Sequence, residues 1–322
     1  MQRFRSWVIT SLVVLPATLV FAQTAEQEKL DWFDGETRTF VVNGYSTSFQ
    51  WPAVLQRKLD RYFEGKRVIE VKSATHGGTP IARWINIETG EPLQPWTLKL
   101  RPLLNSKAQP TIVLGQQSLQ WVFGDRANGI RNDQDTVNLR KGADALQRYS
   151  DLLFADGADA VVIAMHIYKQ GMEPAIGNER LALELFLKSK PANVYAGPDV
   201  WQPTSKLWPQ AFQSDKVHPN AMGAEVMAHH WFKTLLTLSG REVPTWSEEE
   251  MDKAIRDPPP PAAARPQRGR GGNMADRMRR HDKNGDGKIT KAEFQGPAPV
   301  FTRFDRNQDG VVDSKELETS SQ

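Results

Sequence analysis

Five short apolar runs, separated by longer segments that include helix-spaced stretches, constrain this chain more than any other feature. The runs are Thr39–Val42, Val68–Val71, Thr111–Leu114, Ala160–Met165 and Val194-Tyr195. They are too short for helices, and Ala160–Met165 is apolar throughout, as a strand buried on both faces would be. Between and after them, Trp51–Phe63 carries apolar residues at 51, 54, 55, 59, 62 and 63, and Val137–Phe154, Asn178–Leu187 and Ala221–Leu238 also read as helices. Alternation of this kind predicts a parallel sheet covered on both sides. The expected fold is a three-layer α/β/α sandwich, flavodoxin-like, with functional side chains at the carboxyl ends of strands. The chain has no cysteine, so packing must supply the stability, and thiol nucleophiles and thiolate metal sites are excluded.

The residues that bear chemistry fall at the places this fold would use. Asp215-Lys-Val-His218-Pro219-Asn220 stands directly before the last helix. A carboxylate three residues ahead of an imidazole can curl back to accept the Nδ1 hydrogen, which leaves Nε2 free as a base. A matching nucleophile lies at the end of the first strand, in Val41-Val42-Asn43-Gly44-Tyr45-Ser46, where a serine past a glycine turn would stand at the sheet's carboxyl edge. Local alternatives remain open. Ser46 or Ser48 could cap the helix that starts at Trp51, and His218 could be a surface histidine. His76, beside Gly77-Gly78, and His166, after the fourth strand, could shape a pocket, whereas His229 and His230 sit inside the last helix, where packing or solvent is the better reading. Histidines this dispersed do not suggest a zinc cluster. A Trp- and Pro-rich excursion from Tyr195 through Trp201 to Trp208-Pro209 could stack on sugar rings or anchor its own loop, with anchoring favoured.

Taken together, a strand followed by Gly44-Tyr45-Ser46, glycines after the second strand, and a late Asp215-x-x-His218-Pro219 resemble the SGNH, or GDSL-type, hydrolase family, from about Phe40 to about Leu238. The resemblance implies a serine esterase with Ser46 as nucleophile, His218 as general base and Asp215 as its orienting partner. It also implies an oxyanion hole in which Gly77 or Gly78 joins Ser46. The third block of the family carries an Asn where this chain has Gly115-Gln116-Gln117-Ser118, so Gln117 is the residue expected to lend an amide. The substrate class so implied is a small-molecule or carbohydrate ester. The alternative is an inactive, SGNH-like glycan-binding protein. The G-x-S-x-G elbow of α/β-hydrolases is absent.

Near the C-terminus the chain twice spells a twelve-residue acidic loop, starting at Asp282 and at Asp305. A hard cation with six to eight oxygen ligands is served from positions 1, 3, 5, 7, 9 and 12 of such a loop. Those positions are Asp282, Asn284, Asp286, Lys288 (through its carbonyl), Thr290 and Glu293 in the first, and Asp305, Asn307, Asp309, Val311 (through its carbonyl), Asp313 and Glu316 in the second. Gly287 and Gly310 hold position 6, where the chain turns with positive φ, and Ile289 and Val312 at position 8 can pair between loops. The pattern resembles an EF-hand pair, which predicts two calcium sites in a small helical module at 274–322; calcium-dependent docking to another protein is a further possibility that the resemblance raises.

The remaining segments set the context. Arg3 and Arg5, an apolar stretch from Trp7 to Phe21, and Val20-Phe21-Ala22 read as a signal peptide over residues 1–22, which predicts a periplasmic or secreted protein with no transmembrane segment after cleavage. A domain is expected over 23–250, then a Pro/Arg/Gly-rich linker over 251–273 that contains Pro258–Pro261 and Arg268-Gly-Arg270. The net charge of +3 is mostly local to this basic stretch, and nothing else suggests a nucleic-acid partner.

Overall fold

A computed structural model describes residues 32–33, 37–104, 110–125, 128–258, 278, 281–282, 284, 286–294 and 298–319. The expected signal peptide and most of the expected linker lie outside the described residues. The chain divides into two compact units, Met1–Arg256 and Asp257–Gln322.

The first unit is the expected sandwich. Five strands, β1 (Thr37–Gly44), β2 (Val68–Ser73), β3 (Thr111–Gln116), β4 (Ala160–Ala164) and β5 (Val194–Ala196), form one sheet in the order β2-β1-β3-β4-β5. All four pairings are parallel. Residues alternate between two cores: Phe40, Val42, Ile112, Leu114 and Val162 face one, and Val41, Val113, Val161 and Ile163 face the other. Burial on both faces is why the runs lack polar alternation.

Helices α1 (Trp51–Phe63) and α7 (Ala221–Leu238) cover the first face, where the Trp51 and Trp231 rings stack with centroids 5.3 Å apart. Helices α4 (Thr136–Ala155) and α5 (Glu179–Lys188) cover the second. Short helices that lack a readable stripe were not legible in the pattern: α2 (Ile81–Trp84), α3 (Arg101–Leu104) and α6 (Trp201–Lys206). The Trp-rich excursion packs inward, since Trp201 and Trp208 both meet the Tyr168 ring edge-on.

Two boundaries differ from expectation. The linker does not begin at residue 251, because helix α8 (Thr245–Arg256) continues to Arg256. Glu250 holds it there by pairing with Lys58 at 3.0 Å and with Arg61, while Trp246 and Ile255 pack on the core and Arg61 lies over the Trp246 ring. The glycine turn expected at Gly44 is instead the last strand residue, paired with Gln116. The turn comes after Tyr45, over Ser46–Ser48. No helix among the described residues is long and apolar enough to cross a membrane.

In the second unit Ile289 and Val312 pair antiparallel, as the loops predict, and Gly287 and Gly310 have φ of 77° and 83°. A small core of Met278, Ile289, Phe301, Phe304, Val312 and Leu317 lies behind them.

Candidate active site

Residues far apart in sequence meet at the carboxyl edge of the sheet. Tyr45 leaves β1 extended, and Ser46–Ser48 then form a single 3₁₀ turn. This close turn needs Gly44, since a Cβ there would stand 2.6 Å from the Ser48 hydroxyl and 3.0 Å from the Gln116 carbonyl oxygen. Helix α1 starts after Gln50, without a side-chain cap, so neither Ser46 nor Ser48 is spent as its N-cap.

The imidazole arrives on the loop before α7, and that loop is tied down on several sides. The Asn220 side chain caps α7 by accepting from the Gly223 N–H at 3.1 Å, and its amide donates to Gln210 and Phe212 carbonyls. Gly223 is required at that contact, because a Cβ would meet the Ala211 carbonyl oxygen at 2.2 Å. The Gln50 amide, four residues past Ser46, donates to the Pro219 carbonyl at 3.1 Å and so couples the two segments.

The outcome is a continuous chain of hydrogen bonds. The His218 Nδ1–H donates to Asp215 Oδ2 at 2.6 Å, and the Ser46 hydroxyl donates to His218 Nε2 at 2.8 Å. This tautomer follows from the carboxylate, which can only accept while ionised. Asp215 also accepts through Oδ1 from the Val217 and His218 backbone N–H groups, both at 3.0 Å, which closes the turn through Lys216 at φ 55°. Burial raises the Asp215 carboxyl, but the His218 backbone and ring N–H groups and the Val217 N–H outweigh it and hold the group below its ordinary range. An ionised Asp215, a fixed imidazole and an approaching hydroxyl form the arrangement that general-base activation of a nucleophile requires.

The other sequence expectations fare unevenly. Gly77 and Gly78 lie on the loop after β2, with Gly78 at φ 72°. A Cβ on Gly78 would meet nothing within 4 Å, and one on Gly77 only the Phe49 ring at 3.7 Å, so both face open space. Among the described residues neither backbone N–H goes to a backbone carbonyl. Gln117 must be corrected. Its amide is fully buried and turned inward, where it donates to Asn43 Oδ1 at 2.6 Å and to the Asn43 carbonyl at 3.3 Å. The Tyr149 hydroxyl donates to the same Asn43 Oδ1 at 2.7 Å, so the amide serves a buried polar cluster under the sheet edge rather than an oxyanion. Gly115 leaves room for that hydroxyl, since a Cβ would stand 3.1 Å from it.

His166 is buried with its ring 5.0 Å from that of Tyr45, next to Ser46. His229 is buried against Ser247, and burial lowers His230 to about 4. Sequence reasoning did not single out Asn43, Tyr149 or Glu179. A polar residue directly after an apolar run was the available signal for the first.

In the tail, the Asp282 and Asp305 carboxylates accept from the Gly287 and Gly310 N–H groups at 2.9 and 3.1 Å, which wraps each loop around its first residue. Among the described residues no three His, Asp or Glu side chains converge on one point. Asp305 Oδ1 is nevertheless buried with no hydrogen-bond partner among the described residues, and the donor set is all oxygen, which fits a hard cation.

Residues 274–296 and 298–319 match the EF hand family model, so the C-terminal segment is an EF-hand pair. No curated protein matches the chain. Among solved structures, an acetyl xylan esterase from Geobacillus stearothermophilus is 13% identical, with a TM-score of 0.46, covering 67% of this chain and 100% of that one. A carbohydrate esterase family 3 protein from Talaromyces cellulolyticus is 12% identical, with a TM-score of 0.43, covering 63% and 98%. The protein titled TesA is 18% identical, with a TM-score of 0.41, covering 62% and 99%.

Proposed function

We propose that the first unit is a serine esterase of SGNH type. One observation carries this reading: the unbroken relay from Ser46 through His218 to Asp215, with distances of 2.8 and 2.6 Å. In this reading the Ser46 oxygen attacks the ester carbonyl as His218 Nε2 takes its proton. His218 returns that proton to the departing alkoxide, and water then releases the acyl group by the same route in reverse. Asp215 stays ionised and steadies the imidazolium. The N–H groups of Ser46 and of Gly77 or Gly78 receive the oxyanion; with Gln117 turned inward, this hole has one donor fewer than the resemblance implies, a loss of roughly 3 to 4 kcal/mol in the transition state.

An acylated carbohydrate is the substrate class we favour. Support comes from two exposed aromatics on loops that leave the sheet's carboxyl edge: Phe49, 57% exposed against Gly77, and Trp121, 37% exposed with the Arg83 guanidinium over its ring. Trp121 has φ 73°, a conformation that costs a bulky residue energy and turns up where function demands it. The inward Gln117 favours a second reading, a glycan-binding protein without turnover. Assaying p-nitrophenyl acetate and acetylated xylo-oligosaccharide with wild type and S46A separates the two: the esterase reading requires turnover that S46A abolishes, and the binding reading requires none.

The EF-hand pair is proposed to hold two calcium ions, through the six positions of each loop named above. Calcium supplies charge compensation that lets the loop carboxylates fold together. Residues 1–22 are proposed to direct export to the periplasm or beyond, and cleavage after Ala22 would be seen as a secreted chain beginning at Gln23.

A further inference from the structure

Outside the relay, the most unusual polar group in the first unit is Glu179, the first residue of α5. Its side chain is fully buried, with the residue 1% exposed. One oxygen accepts from the Ser118 hydroxyl at 3.0 Å, and the other, Oε2, has no partner among the described residues. A buried carboxylate with a bare oxygen costs far more than a neutral carboxylic acid at the same place. The groups that face it come from three other elements: Ser118 and the Leu119 N–H after β3, Lys169 after β4, and the buried Tyr45 after β1. Lys169 is the cation acting on it among the described residues, and its charge does not offset the burial, which pushes the carboxyl up to about 8.

Ser118 links this acid to both halves of the candidate site. Its hydroxyl accepts from the Gln120 N–H at 3.1 Å, and its carbonyl accepts from the Ile81 N–H at 3.1 Å. Ile81 lies directly after the Gly77-Gly78 loop, which is itself braced by the Thr79 hydroxyl on the His76 carbonyl at 2.6 Å and by the His76 N–H on the Gly44 carbonyl at 3.1 Å. Glu179 therefore sits at the root of a hydrogen-bonded path through Ser118 and Ile81 to the glycines proposed for the oxyanion, and its carboxyl lies close to Tyr45, the neighbour of Ser46.

We propose that Glu179 is a positioning residue held as a neutral acid, whose bond to Ser118 fixes the loops after β2 and β3 in a working arrangement that ionisation of the buried acid displaces. This inference rests on the esterase reading and deepens it. On ionisation the buried charge, which Lys169 does not offset, draws the side chain toward water, and Ser118, whose hydroxyl binds a carboxylate more tightly than an acid, is pulled out of place with it. Activity should then fall reversibly on the alkaline side. Tyr45 cannot account for such a fall, because burial moves its phenol well above its ordinary value.

The test is the pH profile of kcat/KM on p-nitrophenyl acetate for wild type, E179Q, S118A and S46A. Glutamine keeps the acceptor for Ser118 but cannot ionise. E179Q is expected to stay within about threefold of wild type at neutral pH and to keep that activity through pH 9, where wild type has fallen at least fivefold. S118A is expected to lose several-fold activity at every pH. The protonated acid is read independently of turnover, as a carboxylic C=O infrared band present at pH 7 in wild type and missing in E179Q. An alkaline limb unchanged in E179Q, or no such band, overturns the proposal. Turnover equal in wild type and S46A overturns the esterase reading instead, so the two failures are told apart.

Discussion

Replacing Gly44 by alanine tests the whole geometry of the nucleophile turn with one methyl group. That Cβ would lie 2.6 Å from Ser48 Oγ, 3.0 Å from Ser48 Cβ and 3.0 Å from the Gln116 carbonyl oxygen, and Ser48 is fully buried in the same 3₁₀ turn as Ser46. Neither the sheet backbone nor a buried turn can yield freely, so the turn must shift by a few tenths of an ångström or more. Overpacking of this sort costs about 1 to 3 kcal/mol, which in a domain of this size lowers Tm by roughly 2 to 12 °C. The larger effect falls on chemistry. A displacement of about 1 Å between reacting groups can cost on the order of 100-fold, so G44A should lose ten- to hundredfold in kcat with a smaller change in KM.

The decisive variant is G44A/S48G. The Ser48 hydroxyl has no hydrogen-bond partner among the described residues, so its removal costs little beyond about 0.5 to 1 kcal/mol for the added backbone freedom. Removing it opens the space that the new methyl needs. The double variant should recover most of the activity and stability lost in G44A, and S48G alone should stay near wild type. A G44A enzyme with unaltered Tm and kcat, or a double variant no better than G44A, would refute the reasoning.

Other consequences are tested more briefly. D215N should lower kcat about 10³- to 10⁴-fold on acetyl esters while leaving the thermal melt nearly unchanged, because the amide breaks the tautomer logic and not the packing. K58A should cost about 3 to 5 kcal/mol in urea unfolding, since Lys58, only 2% exposed, pairs with Glu225 at 2.5 Å and Glu250 at 3.0 Å, and its loss would leave the largely buried Glu225 uncompensated while Glu250 keeps Arg61; a loss under 1 kcal/mol would contradict this. Glu179 offers a stability test with a definite sign. Its folded-state value of about 8 lies above the ordinary 4.5, so its contribution is full below about pH 4.5 and is lost as pH rises through 8. The Tm of E179Q minus that of wild type should therefore widen from pH 5 to pH 8 and then level off. Chelation should lower the helical circular dichroism of the EF-hand pair, and E293Q with E316Q should abolish calcium binding by titration calorimetry.

The amino-acid sequence by itself determined whatever depends on neighbours along the chain. The strands were legible because burial on both faces leaves an uninterrupted apolar run, as at Ala160–Ala164. The Asp215–His218 contact was legible because three residues are enough for a side chain to fold back on the next turn, and the EF-hand loops because the whole pattern of each lies within twelve residues. Tertiary structure alone decided the rest. Gln117 occupies the expected place after β3, but the distant Asn43 and Tyr149 claim its amide and turn it from the site. Helix α8 carries the first unit past the boundary expected at residue 250 because Glu250 finds Lys58, 192 residues away in sequence. Glu179 reads as an ordinary helix-start acid until the fold closes over it. In each case the deciding partner comes from another layer of the sandwich, and a pattern read along one dimension carries no record of which layers will meet.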